Sequence, residues 1–295
     1  MKILKFGGSS VGSPERIKQI AQIIKDREDL TIVVSAFGGT TDQLIRAAKL
    51  ASLGNQEYLA ELEAIRKRHI EAINELTDNP KSVAKALSAT FKELEEILHG
   101  VSLTKELTPR TLDLVMSFGE RLSAYIISQH LNANFLDARK IIKTNDNFNN
   151  AKVNFAKSFK LIQEHYQNSN KLNVVTGFIS STENNETTTL GRGGSDYTAA
   201  IIGAALDAEE VEIWTDVSGI MTADPRKVKK AFPIPQISYI EAMEMSHFGA
   251  KVIHPPTMQP LMNKGIPIRI KNTMEPEQPG SVISEKSDSY NFPIK

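Results

Sequence analysis

The chain has 295 residues, is 40% hydrophobic, and carries 35 basic and 35 acidic side chains for a formal net charge of zero. That length is ample for a sizeable core in one large α/β domain or two, and neutrality argues against nucleic acid or an anionic membrane as the main partner. With no cysteine, disulfides, thiolate catalysis and cysteine-ligated metals are excluded, and the six histidines (69, 99, 130, 165, 247, 254) form no close ligand pair for zinc.

The chain enters Lys2-Ile3-Leu4-Lys5-Phe6 directly, with no signal-peptide h-region. No apolar run approaches the roughly 20 residues of a membrane helix, so a soluble cytoplasmic protein is expected. Residues 3–6 read as a strand running into Gly7-Gly8-Ser9-Ser10. A helix follows, with Ser13 suited to the N-cap, Pro14 to the first position, and Ile17, Ile20, Ala21 and Ile24 at helical spacing. Residues 30–36 form a second strand, apolar enough to be buried on both faces. Gly38-Gly39-Thr40-Thr41-Asp42 breaks it before a helix through Leu44, Ala47, Ala48 and Ala51.

Residues 56–100 are charge-rich and helical in pattern, broken at Asn79-Pro80, and read as a solvated helical hairpin. Thr108-Pro109 opens a long helix, and 145–150 is a polar loop. Strands are predicted at 174–179, 187–190 and 211–214. Ser238 and Glu241 form a capping box for a helix over 239–248. Residues 256–264 read as a short helix closed by Gly265. Residues 266–270 read as a strand, with Pro267 marking an edge or a strand start. The tail after Pro279 is polar and turn-rich and reads as a linker. No internal repeat is evident.

Strands alternating with helices predict α/β architecture: a three-layer αβα sandwich with a mostly parallel central sheet and a helical insertion around 56–131. Ligands in such sheets sit at the carboxyl ends of the strands, so the loops after Phe6, Ala36, Ile179 and Trp214 come first. No G-x-x-x-x-G-K-[ST], no strand-following G-x-G-x-x-G and no protein-kinase set occurs. Instead Lys5 ends the first strand beside Gly7 and Gly8, placed to neutralise a phosphate or simply to meet solvent. Gly191, Gly193 and Gly194 bracket Arg192, and Ser195 and Asp196 open an apolar helix. Such a loop brings backbone N–H groups close to an anion, and an arginine there reaches a carboxylate or phosphate bidentately. The bland alternative is a tight turn with a surface arginine and a Ser or Asp cap. Thr215 and Asp216 suit a ribose or base contact, or an Asx-type turn. Lys251 follows a helix and a glycine, and Glu120 taken alone is a surface acid.

Together these segments resemble the aspartate kinase branch of the amino-acid kinase family. The resemblance is carried by KFGGSSV at 5–11, SFGERLSA at 117–124, TTTLGRGGSDYTA at 187–199, WTDVSGI at 214–220, ADPR at 223–226 and FGAKVIHPPT at 248–257. It covers essentially the whole chain and extends to the form fused to a homoserine dehydrogenase. It implies the amino-acid kinase fold over 1–280, with an amino-acid side at about 1–170 and a nucleotide side at about 171–280. Residues 281–295 would then be a linker toward regulatory ACT domains.

The implied activity is ATP- and Mg²⁺-dependent phosphorylation of the β-carboxylate of L-aspartate, the first step of lysine, threonine and methionine biosynthesis. By the same resemblance, Lys5 and Asp196 are catalytic. Thr41, Glu120, Arg192, Gly193, Gly194 and Ser195 bind aspartate, with Arg192 at the α-carboxylate and Glu120 at the α-ammonium. Gly7, Gly8, Ser9, Thr215, Asp216, Met221, Arg226 and Lys251 hold the nucleotide, and no protein metal ligand is named. A homodimer or larger assembly is implied, and this segment alone is expected to lack feedback inhibition by lysine or threonine. Two departures stand out: Ser9 where many relatives have threonine, and Met221 where many have tyrosine. The rivals are another amino-acid kinase (glutamate, acetylglutamate or carbamate) and a non-catalytic amino-acid or nucleotide sensor of the same fold.

Overall fold

The first strand sets the geometry of everything around it. In the computed structural model, which describes residues 1–167, 172–223, 227–248 and 253–285, β1 (Lys2–Phe6) lies between two parallel neighbours. These are β2 (Leu30–Val34) and β7 (Glu210–Thr215). The eight-stranded sheet continues outward from β2 to β4 (Asn173–Thr176) and β3 (Asn134–Leu136). From β7 it continues to β9 (Ile268–Asn272), β10 (Ser281–Ser284) and β8 (Gln236–Ser238). All neighbours are parallel except β9 and β10. The direction of winding reverses about β1, which puts the crevice for a ligand at the carboxyl ends of β1, β2 and β7.

Side chains alternate across a strand, so β1 feeds two cores. Leu4 and Phe6 join α1 (Pro14–Ile24), α2 (Thr40–Ser52), α3 (Tyr58–Leu76), α4 (Pro80–Thr104) and α5 (Pro109–His130) on one face. Ile3 joins α6 (Phe155–Gln167), α7 (Gly194–Ala205), α8 (Tyr239–His247) and α9 (Pro255–Met262) on the other. The layers are therefore helix, mostly parallel sheet, helix, as the sequence predicts. A separate antiparallel hairpin, β5 (Ile179–Ser181) with β6 (Thr187–Thr189), stands beside the sheet.

Several expectations need correction. The hairpin α3–α4 is not merely solvated: Leu62, Ile65, His69, Leu87, Phe91, Leu94 and Leu98 are buried along one stripe. The single strand expected over 174–179 is two, β4 and β5. They are broken at Gly177-Phe178, where Phe178 takes φ +66° and Gly177 N–H donates to the Val34 carbonyl. The tail expected as a linker from 281 begins instead as β10, whose Ser281 and Ile283 are buried between β9 and β8. Pro267 stands just before β9, so its missing N–H costs the ladder nothing. Helix α6, β3 and β8 had no prediction. The capping box at Ser238 and Glu241 is present in full.

Candidate functional site

Lys5 shares its strand face with Ile3, so its side chain points toward α7 rather than into the α1–α5 layer. There its ammonium meets Asp196 at 2.6 Å, and both side chains are mostly buried, at 12% and 19% exposure. Asp196 reaches this place because it is not a cap. The N-cap of α7 is Gly193, with φ +70° and no side-chain bond, which leaves Ser195 and Asp196 in the first helical turn. That turn also offers unsatisfied N–H groups and the positive end of the helix dipole. A Cβ at Gly194 would lie 2.6 Å from the Phe178 ring, and one at Gly177 would lie 2.6 Å from Ser195 Oγ. These two glycines let α7 press against the turn between β4 and β5. Ser195 is fixed from the other side by Ser35 Oγ at 3.0 Å.

Glu120 comes from the middle of α5. Gly119 allows the approach: a Cβ there would sit 2.8 Å from the Ala36 side chain. The helix comes so close that Ala36 N–H donates to Glu120 Oε1 at 3.3 Å, and Ser123 Oγ donates to the Ser35 carbonyl at 2.7 Å. Glu120 is 3% exposed, and its Oε2 is buried with no hydrogen-bond partner among the described residues. Burial pushes its pKa up to about 8, with the Ala36 N–H opposing only in part. A carboxyl group with one free, buried oxygen aimed into a cleft is a receptor for a cation.

The cleft encloses about 350 Å³. Its wall brings together Lys5, Gly8, Thr41, Glu120, Gly193, Gly194, Ser195 and Asp196 among the residues named from the sequence. It adds Ser35 and Phe178, which sequence reasoning missed; a serine directly after an apolar strand end was the available signal for the first. Gly7 lies just behind, its N–H on the Trp214 carbonyl at 3.2 Å. The Ser9 carbonyl accepts from Arg16.

Other named residues stand apart. Arg192 is exposed between Gly191 (φ +73°) and Gly193, does not line the cleft and makes no ion pair with the described residues. Thr215 ends β7 and Asp216 follows it in an exposed turn, Thr215 Oγ1 donating to Asp216 Oδ1 at 3.2 Å. Met221 bridges to Pro233. These three lie outside the cleft wall, and Arg226 and Lys251 lie outside the described residues. Asp113, also unforeseen, is fully buried on α5 and accepts from the N–H groups of Asn149 and Thr189 and from Thr189 Oγ1. It thereby ties α5 to β6 and to the loop beneath Gly191. Among the described residues no three His, Asp or Glu side chains are grouped to hold a metal.

This geometry has known counterparts. A profile of the amino acid kinase family matches residues 1–272. Aspartokinase 1 of Arabidopsis thaliana is 38% identical over 97% of this chain, and the match spans 52% of that protein. The bifunctional aspartokinase/homoserine dehydrogenase of Buchnera aphidicola is 34% identical over 98% of this chain and 37% of its own. Among solved structures, Escherichia coli aspartokinase III in complex with aspartate and ADP superposes with a TM-score of 0.91. It shares 33% identity, over 98% of this chain and 65% of that one. The chain thus spans about half the length of the plant aspartokinase. A match unbroken from β1 to β9, on a sheet and cleft of this form, makes the chain a member of the amino acid kinase family.

Proposed function

We propose that the chain is the catalytic part of an aspartate kinase, transferring the γ-phosphoryl group of ATP to the β-carboxylate of L-aspartate to give 4-phospho-L-aspartate and ADP. One observation carries the reading: a single cleft is walled by the Lys5–Asp196 ion pair and by the free, buried oxygen of Glu120. An acceptor with an anionic end and a free ammonium satisfies both. Acetylglutamate and carbamate carry no free α-ammonium, so Glu120 favours aspartate or glutamate over them. The 350 Å³ of space and the aspartate and ADP held by the E. coli aspartokinase support aspartate. A sensor that had abandoned chemistry would have little use for a buried lysine–aspartate pair.

The acceptor carboxylate, with a pKa near ~4, is already ionised at neutral pH and needs no general base. Its oxygen attacks the γ-phosphorus, and the bond from phosphorus to the β,γ-bridging oxygen breaks. The protein's task is to position two anions and offset their repulsion. Lys5 neutralises the phosphoryl oxygens, and Asp196 holds Lys5 in place. Glu120 takes the α-ammonium, and Thr41 and Ser195 add hydrogen bonds. Arg192, on a loop hinged by two glycines, turns inward to the α-carboxylate. Gly7, Gly8 and Ser9 face the phosphates, and Thr215, Asp216, Met221, Arg226 and Lys251 form the nucleotide side. Mg²⁺ would enter with the nucleotide beside Lys5 and the glycine loop, where it would offset part of the phosphate charge. A role in amino-acid biosynthesis, a cytoplasmic setting and an assembly built with regulatory segments belong to the same reading.

ADP release with MgATP tests it, comparing L-aspartate, L-glutamate, acetylglutamate and no acceptor, with hydroxylamine to trap acyl phosphate. Aspartate-dependent ADP and hydroxamate are expected. Turnover on another acceptor would overturn the substrate, and none on any acceptor would overturn the reaction.

A further inference from the structure

Arg68 lies on α3, in the charge-rich hairpin, among Arg66, Lys67 and Glu71. Unlike the exposed Lys67 and Glu71 it turns inward. Its Nη1 donates to the Gly38 carbonyl at 2.6 Å and approaches Thr40 Oγ1 at 3.5 Å, while Nη2 donates to the Gly12 carbonyl at 2.8 Å. Its guanidinium carbon lies 5.8 Å from the Phe37 ring centre. Burial lowers its pKa from the usual arginine value, and among the described residues no carboxylate pairs with it. A half-buried guanidinium spent on backbone carbonyls must be holding backbone.

The backbone it holds is the floor of the cleft. Gly12 closes the loop after β1, and Gly38 lies in the loop after β2. The loops touch: a Cβ at Gly38 would lie 2.9 Å from the Gly8 carbonyl. Gly8, Gly38 and Gly39 all line the cleft, and Ala36, two residues before Gly38, supplies the N–H bound by Glu120. The cavity at the opposite end of the sheet, about 440 Å³, invites less: its buried Glu210 and Glu212 are already paired with Arg269 and Arg27.

We propose that Arg68 is a positioning residue that clamps the two glycine loops together, and that through it the helical hairpin fixes where backbone N–H groups meet the transferring phosphoryl group. The fork geometry matters, because two carbonyls on separate loops need two donors at fixed separation. A lysine offers a point charge and cannot span both. The kinetic part of this proposal rests on the aspartate kinase reading; the structural part does not.

The test uses Arg68→Ala, Arg68→Lys and, as a control for charge on the same helix, the exposed Lys67→Ala. Hydrogen exchange is measured on the amides of residues 7–12 and 37–41 of the whole chain. Arg68→Ala should speed exchange in both loops together and Lys67→Ala in neither. Acceleration in one loop only, or in neither, overturns the clamp, whether or not the wild type turns over aspartate. In the hydroxamate assay, Arg68→Ala should lower kcat by about 10- to 100-fold, the usual cost of a small misplacement. Arg68→Lys should recover little. Guanidinium ion at millimolar concentration should restore Arg68→Ala saturably and leave Lys67→Ala unchanged. Full activity in Arg68→Ala, or full recovery by lysine, would contradict the proposal. A wild type without aspartate turnover would sink the function and leave the exchange result to decide the clamp.

Discussion

The cleft around Glu120 and Asp196 and the surface beyond β7 proposed for the nucleotide differ in how far their side chains are buried. The first is interlocked. Gly119, Gly177 and Gly194 each bring backbone against a neighbour with no room for a methyl group, and Glu120, Ser123 and Ser195 are buried. The second is open, with Asp216 exposed in its turn and Val217, Phe232, Phe248 and Met274 facing solvent. The contrast follows from the ligands proposed for each. A small zwitterion brings little apolar surface, so its charges must meet groups already held in place. A nucleotide brings a large planar base and its own bound cation, and an open apolar surface can receive it.

The comparison breaks most readily at the ion pair. Lys5→Ala should lower kcat by about 10²- to 10³-fold, the scale for losing one preorganised charge contact, with a smaller change in KM for either substrate. Asp196→Asn should follow it in steady-state kinetics. A loss confined to KM would place Lys5 in ground-state binding only.

Glu120 comes next. Its folded pKa of about 8 stands above the ordinary 4.5. The folded protein therefore keeps a proton that the unfolded chain has released, and Glu120's contribution to stability falls as pH rises through that window. Glu120→Gln should flatten this slope in thermal melts across pH 5–8. It should also cost about 10- to 100-fold in kcat/KM for aspartate and little in KM for ATP. Equal losses for both substrates would place Glu120 in general scaffolding.

The interlocked packing is tested by Gly177→Ala. The new methyl would press on Ser195 Oγ and, at 2.9 Å, on the Val34 carbonyl. Denaturant titration should show a loss of about 1–3 kcal/mol. The smallest effect belongs to the open side: Phe248, 87% exposed, should change stability by less than about 0.5 kcal/mol when replaced by alanine. A larger loss would mean the two sides are not built differently after all.

The interlocked side was also the more legible in the sequence. Lys5, Ser195 and Asp196 sit in glycine-punctuated segments at strand and helix ends, where local pattern and site geometry coincide, whereas Glu120, in mid-helix, was named only through the resemblance. Arg68 was hidden because one inward arginine in a helix of outward charges has the same periodicity as its neighbours. Asp113 was hidden likewise, its partners lying 36 and 76 residues away. Strand β10 carries only four residues between polar turns, too few for alternation to show. Arg192 was named from its glycines, and in the fold it is exposed and outside the cleft wall.

The most direct measurement is the proton balance of aspartate binding. Burial raises the Glu120 pKa to about 8, so the carboxyl favours its protonated form at pH 7, and an ammonium seated on it would displace that proton. Titration calorimetry at pH 7 in two buffers of different ionisation enthalpy should show proton release on aspartate binding by the wild type, and none for Glu120→Gln. Aspartate binding with no proton released by the wild type would contradict the placement of the ammonium at Glu120, and with it the reading of the cleft as a preassembled amino-acid site.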